Sequence, residues 1–345
     1  MLTIDGSFGE GGGQIIRSSL ALALVTGRPF TIAKIRAGRK KPGLQRQHLT
    51  AVTAAARISG AEVEGAELGS ACLVFVPGEV RPGDYRFSVG TAGSTTLVLQ
   101  TILPALLIAK GESHVTLEGG THNPLAPPFD FLAKTFLPLV NRLGPTVTAT
   151  LERPGFHPAG GGCMTVHLSP AEQLGNLELL DRGPIASRRI RALVANLPRH
   201  IAERECRTAA RKLAWDDSCC SVEEIKGSRG PGNVVLVEVA SRHVTAVFAA
   251  FGQRGVKAED VATQAAKAAQ RYLEADVPVG EYLADQLQLP LGIAAHLGGG
   301  PSAYRTLRLS PHSTTHIELL RQFLGVVIDV EQCGGDECVV RIGSP

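Results

Sequence analysis

The order in which strand-like and helix-like segments follow one another is the feature that most constrains this chain. Residues 1–77 read as strand, helix, strand, helix and two strands, and residues 84–168 repeat that order. A third unit begins with a helix near Pro278, after a stretch of different order, residues 183–277. Such recurrence indicates a repeat architecture. We therefore predict an α/β (α+β) fold: three βαβαββ repeats form a large domain, residues 1–182 and 278–345, with a smaller inserted α/β domain, residues 183–277 (the insert).

Charge is distributed unevenly along the chain. The formal net charge of the 345 residues is only +3, but no acidic residue lies between Glu10 and Glu62. The basic residues of that segment are Arg17, Arg28, Lys34, Arg36, Arg39, Lys40, Lys41, Arg46 and Arg57. A local field of one sign favours a polyanionic ligand, a nucleotide or a nucleic acid. The alternative is a solvated face whose acidic partners come from elsewhere in the fold.

Cysteine usage and hydropathy bear on the compartment. The seven cysteines are an odd number and include no pair of CxxC units, which predicts a reducing compartment and no zinc site. Cys333 and Cys338 could meet across a hairpin or be buried thiols. The N-terminus lacks a signal-peptide pattern, and the apolar run 97–109 is interrupted by Gln100 and Pro104. We expect a cytoplasmic protein with no membrane span.

A glycine cluster follows the first strand and opens the first helix, in the sequence GSFGEGGGQ. Backbone N–H groups at a helix N-terminus suit a phosphate, and Arg17 could complete the site. A carboxylate such as Glu10 repels phosphate unless a divalent cation bridges the two. The cluster is neither a Walker A loop nor GxGxxG, and a tight turn packed against a sheet is the alternative.

A second candidate site is the basic turn IRAGRKKPGLQRQH, which contains Arg36, Arg39, Arg46 and His48. Arginines bind phosphate through two nitrogens and lysines act as point charges, so this turn suits an RNA end that carries an extra phosphate. An ordinary solvated turn is the alternative.

Three further segments carry polar groups with candidate roles. GGTHNPLAPPFDF contains His122, and RPGFHPAGGGCM is a second glycine-rich loop. GEYLADQL places Tyr282, Asp285 and Gln286 near one helical face, where they could stack on a purine and form hydrogen bonds to it.

The segment LSPHSTTHIELL holds two histidines, His312 and His316, four residues apart. On one helix they would share a face, as metal ligands sometimes do. His312 lies at a predicted helix N-terminus, which favours a neutral imidazole able to act as a nucleophile. A capping role of Ser313 or Thr314 is the alternative reading of this segment.

Taken in this order, the motifs resemble the RNA 3′-terminal phosphate cyclases over essentially the whole chain. The resemblance rests on DGSFGEGGGQIIRSSLALALVTG, IRAGRKKPGLQRQHLTAV, GDYRFSVGTAGSTTLVLQTILPAL, GGTHNPLAPP, GFHPAGGG, PRHIAERE, GEYLADQL and the histidine block at 312. It implies an enzyme of the ligase class that takes ATP, a divalent cation (Mg or Mn) and an RNA with a 3′-phosphate end. A homo-oligomer is compatible with it.

By position, the resemblance also implies roles for individual residues. His312 matches the residue that becomes adenylylated, and Glu10 matches a carboxylate that helps to hold metal and triphosphate. The ATP-binding positions are Glu10, Gln100, Pro127, Tyr282, Leu283, Ala284, Asp285 and Gln286, and the substrate-phosphate positions are Arg17, Arg36, Arg39 and Arg46. Because these positions come chiefly from the first and third repeats, we expect the active site where those repeats meet.

Two positions depart from the family pattern. His316 stands where some relatives have asparagine, and Pro154 stands where a basic residue is more usual, with Arg153 one position away. The alternatives are a non-catalytic cyclase-like RNA-processing scaffold, a phosphoesterase with paired His-x-Thr/Ser motifs, and an enolpyruvyl transferase. The presence of His312, Glu10, Arg17 and Asp285 favours the cyclase. Under this hypothesis, the RNA path extends onto arginines of the insert, Arg204, Arg207 and Arg211.

Overall fold

Four four-stranded sheets and the helices between them make up the protein in a computed structural model that describes residues 1–344. The first repeat consists of β1 (Leu2–Asp5), α1 (Gly13–Thr26), β2 (Phe30–Ala33), α2 (Arg46–Ser59), β3 (Glu62–Glu64) and β4 (Leu73–Val76). Its strand order is β1-β2-β4-β3. β1 and β2 are parallel, and β4 runs antiparallel to both of its neighbours.

The second repeat has the same plan. It contains β5 (Asp84–Ser88), α3 (Thr95–Leu106), β6 (Ser113–Gly119), a second helix, β7 (Thr146–Arg153) and β8 (Gly162–Ser169), with strand order β5-β6-β8-β7. The second helix has three parts: α4 (Phe129–Phe131), a π-helical turn (Leu132–Phe136) and α5 (Leu137–Asn141). Within the apolar run 97–109, α3 ends at Leu106, two residues after Pro104.

The insert interrupts the third repeat after its first strand, β9 (Glu178–Leu179). The insert contains β10 (Ile185–Ala195), α6 (His200–Leu213), a 3₁₀ turn (Asp217–Cys219), β11 (Cys220–Ile225), β12 (Gly232–Ser241), β13 (Thr245–Phe251) and α7 (Ala258–Ala275). Its sheet has the order β11-β10-β12-β13. One sheet face packs on α6 and α7, and the opposite face turns to the main core.

The third repeat resumes after the insert. It continues with α8 (Glu281–His296), β14 (Ser302–Leu307), α9 (Pro311–Leu324), β15 (Val327–Gly334) and β16 (Glu337–Gly343). β9 pairs in parallel with β14, so the strand order β9-β14-β16-β15 reproduces that of the other repeats. The predicted α/β fold of three βαβαββ repeats is therefore confirmed. The boundaries of the insert at 183 and 277 stay a prediction.

One central helix joins the repeats. Ten residues of α1 are buried, and this helix packs against α2, α3 and α9. A run of apolar and small residues after Arg17 produces most of this burial, and Gly27, with a φ of 67°, ends the helix in the left-handed conformation. The N-terminus of α1 is thereby fixed beside the N-terminus of α9.

Two expectations from the sequence concern the cysteines and a membrane span. Cys338 is buried and Cys333 is exposed, and neither forms a disulfide. Between residues 1 and 344, no helix combines the length and the apolar character needed to cross a membrane.

Candidate active site

Three side chains from two repeats form a hydrogen-bonded chain at the junction of α1, α8 and α9. The Nδ1 atom of His312 lies 2.9 Å from Oε1 of Gln14, and Nε2 of Gln14 donates to Oδ1 of Asp285 over 2.8 Å. Gln14 is buried, whereas His312 is exposed. The first and third repeats thus meet at His312 and Asp285, which the sequence singled out, and at Gln14, which it did not.

The direction of these hydrogen bonds fixes the tautomer of His312. A carboxylate only accepts, so the NH₂ of Gln14 must face Asp285 and its carbonyl oxygen must face His312. In the neutral imidazole, Nδ1 of His312 therefore carries the proton, and Nε2 keeps its lone pair. Since His312 is the second residue of α9, its free nitrogen lies at a helix N-terminus.

The cap of α9 differs from the sequence-based alternative. Ser310 is the N-cap, and its hydroxyl accepts a hydrogen bond from the backbone N–H of Ser313 over 3.1 Å. Pro311 is the first helical residue, as its fixed φ favours. Neither Ser313 nor Thr314 serves as the cap, and the capping hydrogen bond does not involve the side chain of His312.

The glycine cluster packs directly against α9. The backbone N–H of Glu10 donates to Oγ1 of Thr315 over 3.2 Å. Gly9 has a φ of 55°, and a Cβ there would lie 2.1 Å from Oγ1 of Thr315, so only glycine fits. The approach places Oε2 of Glu10 3.7 Å from Nδ1 of His312. The cluster is therefore part of the site and not merely a turn on a sheet.

Arg17 and Arg36 form a positive site beside the hydrogen-bonded chain Asp285–Gln14–His312. Burial, opposed by Asp285 and assisted by nearby Arg36, lowers the pKa of Arg17 to about 10. Burial, Arg17 and Arg36 together lower the pKa of His48 to about 3. His48 is therefore neutral, and its Nδ1 accepts from the backbone N–H of Gln45 over 3.2 Å. Within residues 1–344 neither Arg17 nor Arg36 forms an ion pair, which suits an anionic ligand.

The other two predicted arginines are placed differently. Arg39 is exposed and forms an ion pair with Oε1 of Glu10. Arg46 is the exposed first residue of α2, and in the described part of the chain its side chain forms no ion pair. Arg36 is anchored by hydrogen bonds from Nη1 to the carbonyl oxygens of Lys41 (2.5 Å) and Gly43 (3.0 Å).

A cavity of about 440 Å³ opens beside His312. The predicted residues that line it are Arg17, Gln100, Pro127, Tyr282, Asp285, Gln286 and His312. Nε2 of Gln100 is buried without a hydrogen-bond partner, and Tyr282 is 70% exposed at the rim. Leu283 and Ala284 are buried in the core and do not line the cavity. A volume of this size suits a nucleotide-sized ligand.

Sequence reasoning missed two walls of the cavity. Phe131 and Phe136 from the second repeat form one apolar wall, and Val247 and Phe251 from β13 of the insert form another. The insert also supplies Gln264. A continuous apolar run such as that of β13 also indicates an ordinary buried strand, so β13 carried no signal of a binding role.

His316 has a supporting position. It is 4% exposed, its Nε2 lies 3.1 Å from Oγ of Ser18, and its Nδ1 lies 3.3 Å from the carbonyl oxygen of Asp285. Burial lowers its pKa. Because both ring nitrogens already have partners, the geometry does not support a metal site shared with His312.

The second glycine-rich loop is held by Arg153. The Nε atom of Arg153 donates to the carbonyl oxygen of Gly161 over 2.7 Å. This basic residue thus contacts the loop despite its shift of one position. His122 at the neighbouring loop is buried, with Nε2 3.0 Å from Oδ2 of Asp130.

Comparison with known proteins identifies the family. The model of the family described as "RTC: RNA 3′-terminal phosphate cyclase" matches residues 8–330. The chain belongs to the RNA 3′-terminal phosphate cyclase family. The match includes Glu10, the arginines of the positive site and His312, and it also spans the whole insert.

Similar curated proteins carry the family name. The chain is 53% identical to the RNA 3′-terminal phosphate cyclase of Koribacter versatilis (strain Ellin345), over 96% of this chain and 92% of the relative. It is 49% identical to that of Ralstonia nicotianae, over 99% of this chain and 96% of the relative. It is 48% identical to that of Ectopseudomonas mendocina, over 99% and 97%.

Proposed function

We propose that this protein converts an RNA 3′-terminal phosphate to a 2′,3′-cyclic phosphodiester, using ATP and releasing AMP and diphosphate. Membership of the cyclase family supports the reaction. The observation that carries the assignment of residues is the hydrogen-bonded chain Asp285–Gln14–His312, which leaves Nε2 of His312 free beside a nucleotide-sized cavity.

The proposed reaction has three balanced steps. First, Nε2 of His312 attacks the α-phosphorus of ATP, the bond to the β-phosphate oxygen breaks, and diphosphate leaves. Second, an oxygen of the RNA 3′-phosphate attacks the same phosphorus, so AMP passes to the RNA and His312 is regenerated. Third, the neighbouring 2′-OH loses its proton and attacks the terminal phosphorus of the RNA, and AMP leaves.

The residues of the site contribute charge and orientation. Arg17 and Arg36, which form no ion pair in the described residues, would hold phosphate oxygens and stabilise charge on the leaving diphosphate. Arg39 would exchange Glu10 for a phosphate when substrate binds. Gln100 has a free amide N–H for a base or a ribose, and Tyr282 offers a ring at the rim for stacking.

A divalent cation fits the residues present. Oε2 of Glu10 is buried without a hydrogen-bond partner, which marks a position for a cation. Residues 1–344 contain no group of three or more candidate ligands, so Glu10 would share the ion with phosphate oxygens and water, as Mg²⁺ prefers. When bound, the cation would neutralise phosphate charge.

Transfer of AMP from labelled ATP tests the nucleophile. Wild-type protein incubated with ATP labelled at the α-phosphate and Mg²⁺, without RNA, should acquire acid-labile label, and His312→Ala should acquire none. His114→Ala, which replaces an exposed histidine of the second repeat, is the matched control and should be labelled like wild type. Unlabelled wild-type protein, with ATP and metal in excess, would refute the assignment and favour the scaffold.

A 2′-deoxy end separates the second step from the third. An RNA whose 3′-phosphate has a 2′-OH beside it should give the cyclic end, whereas the same RNA with a terminal 2′-hydrogen should accumulate as RNA-adenylate. Cyclic product from the deoxy end is chemically excluded, so failure to accumulate the adenylate would contradict the second step.

Compartment and assembly state remain predictions. Seven cysteines, all free, suit a reducing compartment, and we propose the cytoplasm. We also propose that the protein forms a homo-oligomer. Sedimentation of the purified protein measures it directly.

A further inference from the structure

A network of charged side chains joins the insert to the second repeat. Arg191 on β10 donates from Nε and Nη2 to the two carboxylate oxygens of Glu223, over 2.7 and 2.9 Å. Its Nη1 donates to Glu238 of the insert over 3.1 Å and to Asp130 of the second repeat. Lys134 donates to Glu238 over 2.6 Å. Two ion pairs therefore cross between the units, Arg191–Asp130 and Lys134–Glu238.

The network is largely shielded from water. The side-chain exposure is 14% for Arg191, 8% for Asp130 and 10% for Glu238. Burial alone would raise the pKa of Asp130, but His122 and Arg191 hold it well below its usual range. The second carboxylate oxygen of Asp130 lies 3.0 Å from Nε2 of His122, so the first is directed across to the insert. Such pairs are sensitive to the loss of one partner.

Each side of the network adjoins a wall of the cavity. Asp130 immediately precedes Phe131, and Lys134 lies in the π-helical turn that ends with Phe136; both phenylalanines line the cavity. On the other side, Glu238 is the direct cross-strand partner of Val247, which lines the wall that the insert contributes. The ion pairs thus connect residues next to the wall of the second repeat with residues next to the wall of the insert.

We propose that Arg191 and Asp130 are positioning residues that hold the insert against the second repeat and so set the spacing of the two walls of the nucleotide cavity. Neither residue lines the cavity. Their effect on the reaction passes through Phe131, Phe136 and Val247. This proposal rests on the proposed function only in naming ATP as the ligand.

Binding of an ATP analogue is the first test. The analogue has a methylene bridge between the α- and β-phosphorus atoms, so it cannot be cleaved, and calorimetry measures its affinity without any chemistry. Asp130→Asn keeps the side-chain shape and leaves Arg191 bound to Glu223 and Glu238. It should weaken the analogue roughly tenfold. Glu259→Gln, which breaks the Arg204–Glu259 pair inside the insert, is the matched control and should leave the affinity unchanged.

Kinetics and a double mutant separate positioning from general loss of stability. Asp130→Asn should raise the KM for ATP in self-adenylylation while the rate at saturating ATP stays near that of wild type. Arg191→Gln should raise the KM at least as much, because it also breaks the contacts with Glu223 and Glu238. The double variant should be little worse than Arg191→Gln alone, since Arg191→Gln has already removed the contact with Asp130. If Arg191→Gln fails to fold, Lys134→Gln removes the second crossing pair from a 35% exposed position and replaces it in the series.

The outcomes discriminate clearly. A folded Asp130→Asn protein that binds the analogue as tightly as wild type overturns the proposal. So does a lower rate at saturating ATP with an unchanged KM. Because analogue binding needs no nucleophile, a wild-type protein that binds the analogue but never becomes labelled would reject the proposed function and leave the positioning role standing.

Discussion

A single amide sets the direction in which His312 can react. Gln14 lies between Asp285 and His312 in their hydrogen-bonded chain. Its NH₂ group donates to the carboxylate of Asp285, and its carbonyl oxygen accepts from Nδ1–H of His312. We predict that Gln14→Ala slows self-adenylylation about a hundredfold, because misplacement of a nucleophile has effects of that size. The rate with α-labelled ATP measures this.

The tautomer gives a second readout of the same prediction. In wild-type protein labelled with ¹⁵N-histidine, His312 should show a protonated Nδ1 and an unprotonated Nε2, and Gln14→Ala should lose this preference. Gln173→Ala, which alters an exposed glutamine, is the control. An unchanged rate and unchanged nitrogen shifts in Gln14→Ala would show that the amide does not position His312.

His48 should make the stability of the protein depend on pH. Its pKa is lowered from the usual 6.5 to about 3 by burial, Arg17 and Arg36, so between these values the unfolded chain binds a proton that the folded protein does not. The contribution of neutral His48 to the free energy of unfolding is therefore complete above pH 6.5 and decreases as the pH falls towards 3. The slope is roughly 1.4 kcal/mol per pH unit.

Urea titrations at several pH values measure this effect. We expect the free energy of unfolding of wild type to fall more steeply between pH 6.5 and 4 than that of His48→Asn, so the difference between the two proteins should shrink. Parallel curves would mean that His48 is protonated in the folded state.

At the scale of elements, the π-helical turn explains how the second repeat presents two rings to the cavity. Phe131 and Phe136 are five residues apart, a spacing that a regular α-helix would turn to different sides and that a π turn brings together. The sequence predicted one continuous helix here. Periodicity cannot indicate a single widened turn, because the apolar residues on either side continue at helical spacing.

Two substitutions on this segment should separate binding from stability. Phe136→Leu removes an aromatic ring from the cavity wall and should weaken binding of the uncleavable ATP analogue severalfold. Leu139→Ala, on the same segment and 2% exposed but outside the cavity, should lower the free energy of unfolding by about 2–5 kcal/mol without changing the affinity. Equal losses of affinity would mean that the segment acts only through stability.

Element order was predictable from the sequence, whereas short and distant pairings were not. The helices α1, α2 and α9 end at Gly27, Gly60 and Gly325, and this punctuation makes their limits readable. In contrast, β9 has two residues and gains its identity only by pairing with β14, far along the chain. A strand that depends on a distant partner has no local signature.

At the scale of the whole molecule, the same contrast applies to the active site. Motifs that resemble the family named His312, Glu10, Gln100 and the arginines. The resemblance did not indicate that Leu283 and Ala284 face the core, or that β13 closes the cavity. The first fact follows from the packing of α8 against α9, β14 and β16, and the second from how the insert docks on the second repeat. Both depend on tertiary contacts and not on any one segment.

The exposed arginines of α6 allow a test of whether the insert extends the RNA path. Arg204 is bound through two hydrogen bonds to Glu259, while Arg207 and Arg211 are exposed. α6 packs on the sheet face turned away from the main core, so we expect a long RNA to reach it more readily than a short one. Replacing Arg207 and Arg211 with alanine should weaken long RNAs and flatten their salt dependence, with little effect on short ones. Filter binding at several salt concentrations decides, and equal effects on both lengths would exclude this path.

The chain enters and leaves the insert at one place. Arg182 and Asp276, beside the two crossings, form an ion pair of 2.7 Å, and Arg305 donates to the carbonyl oxygen of Asp276 over 2.9 Å. A segment with neighbouring ends can be exchanged between lineages as a block, because the layers around it keep their own contacts. Here such an exchange would replace one wall of the cavity while His312 and the arginines stayed in place. Nucleotide preference could thus diverge among descendants that share one unchanged nucleophile.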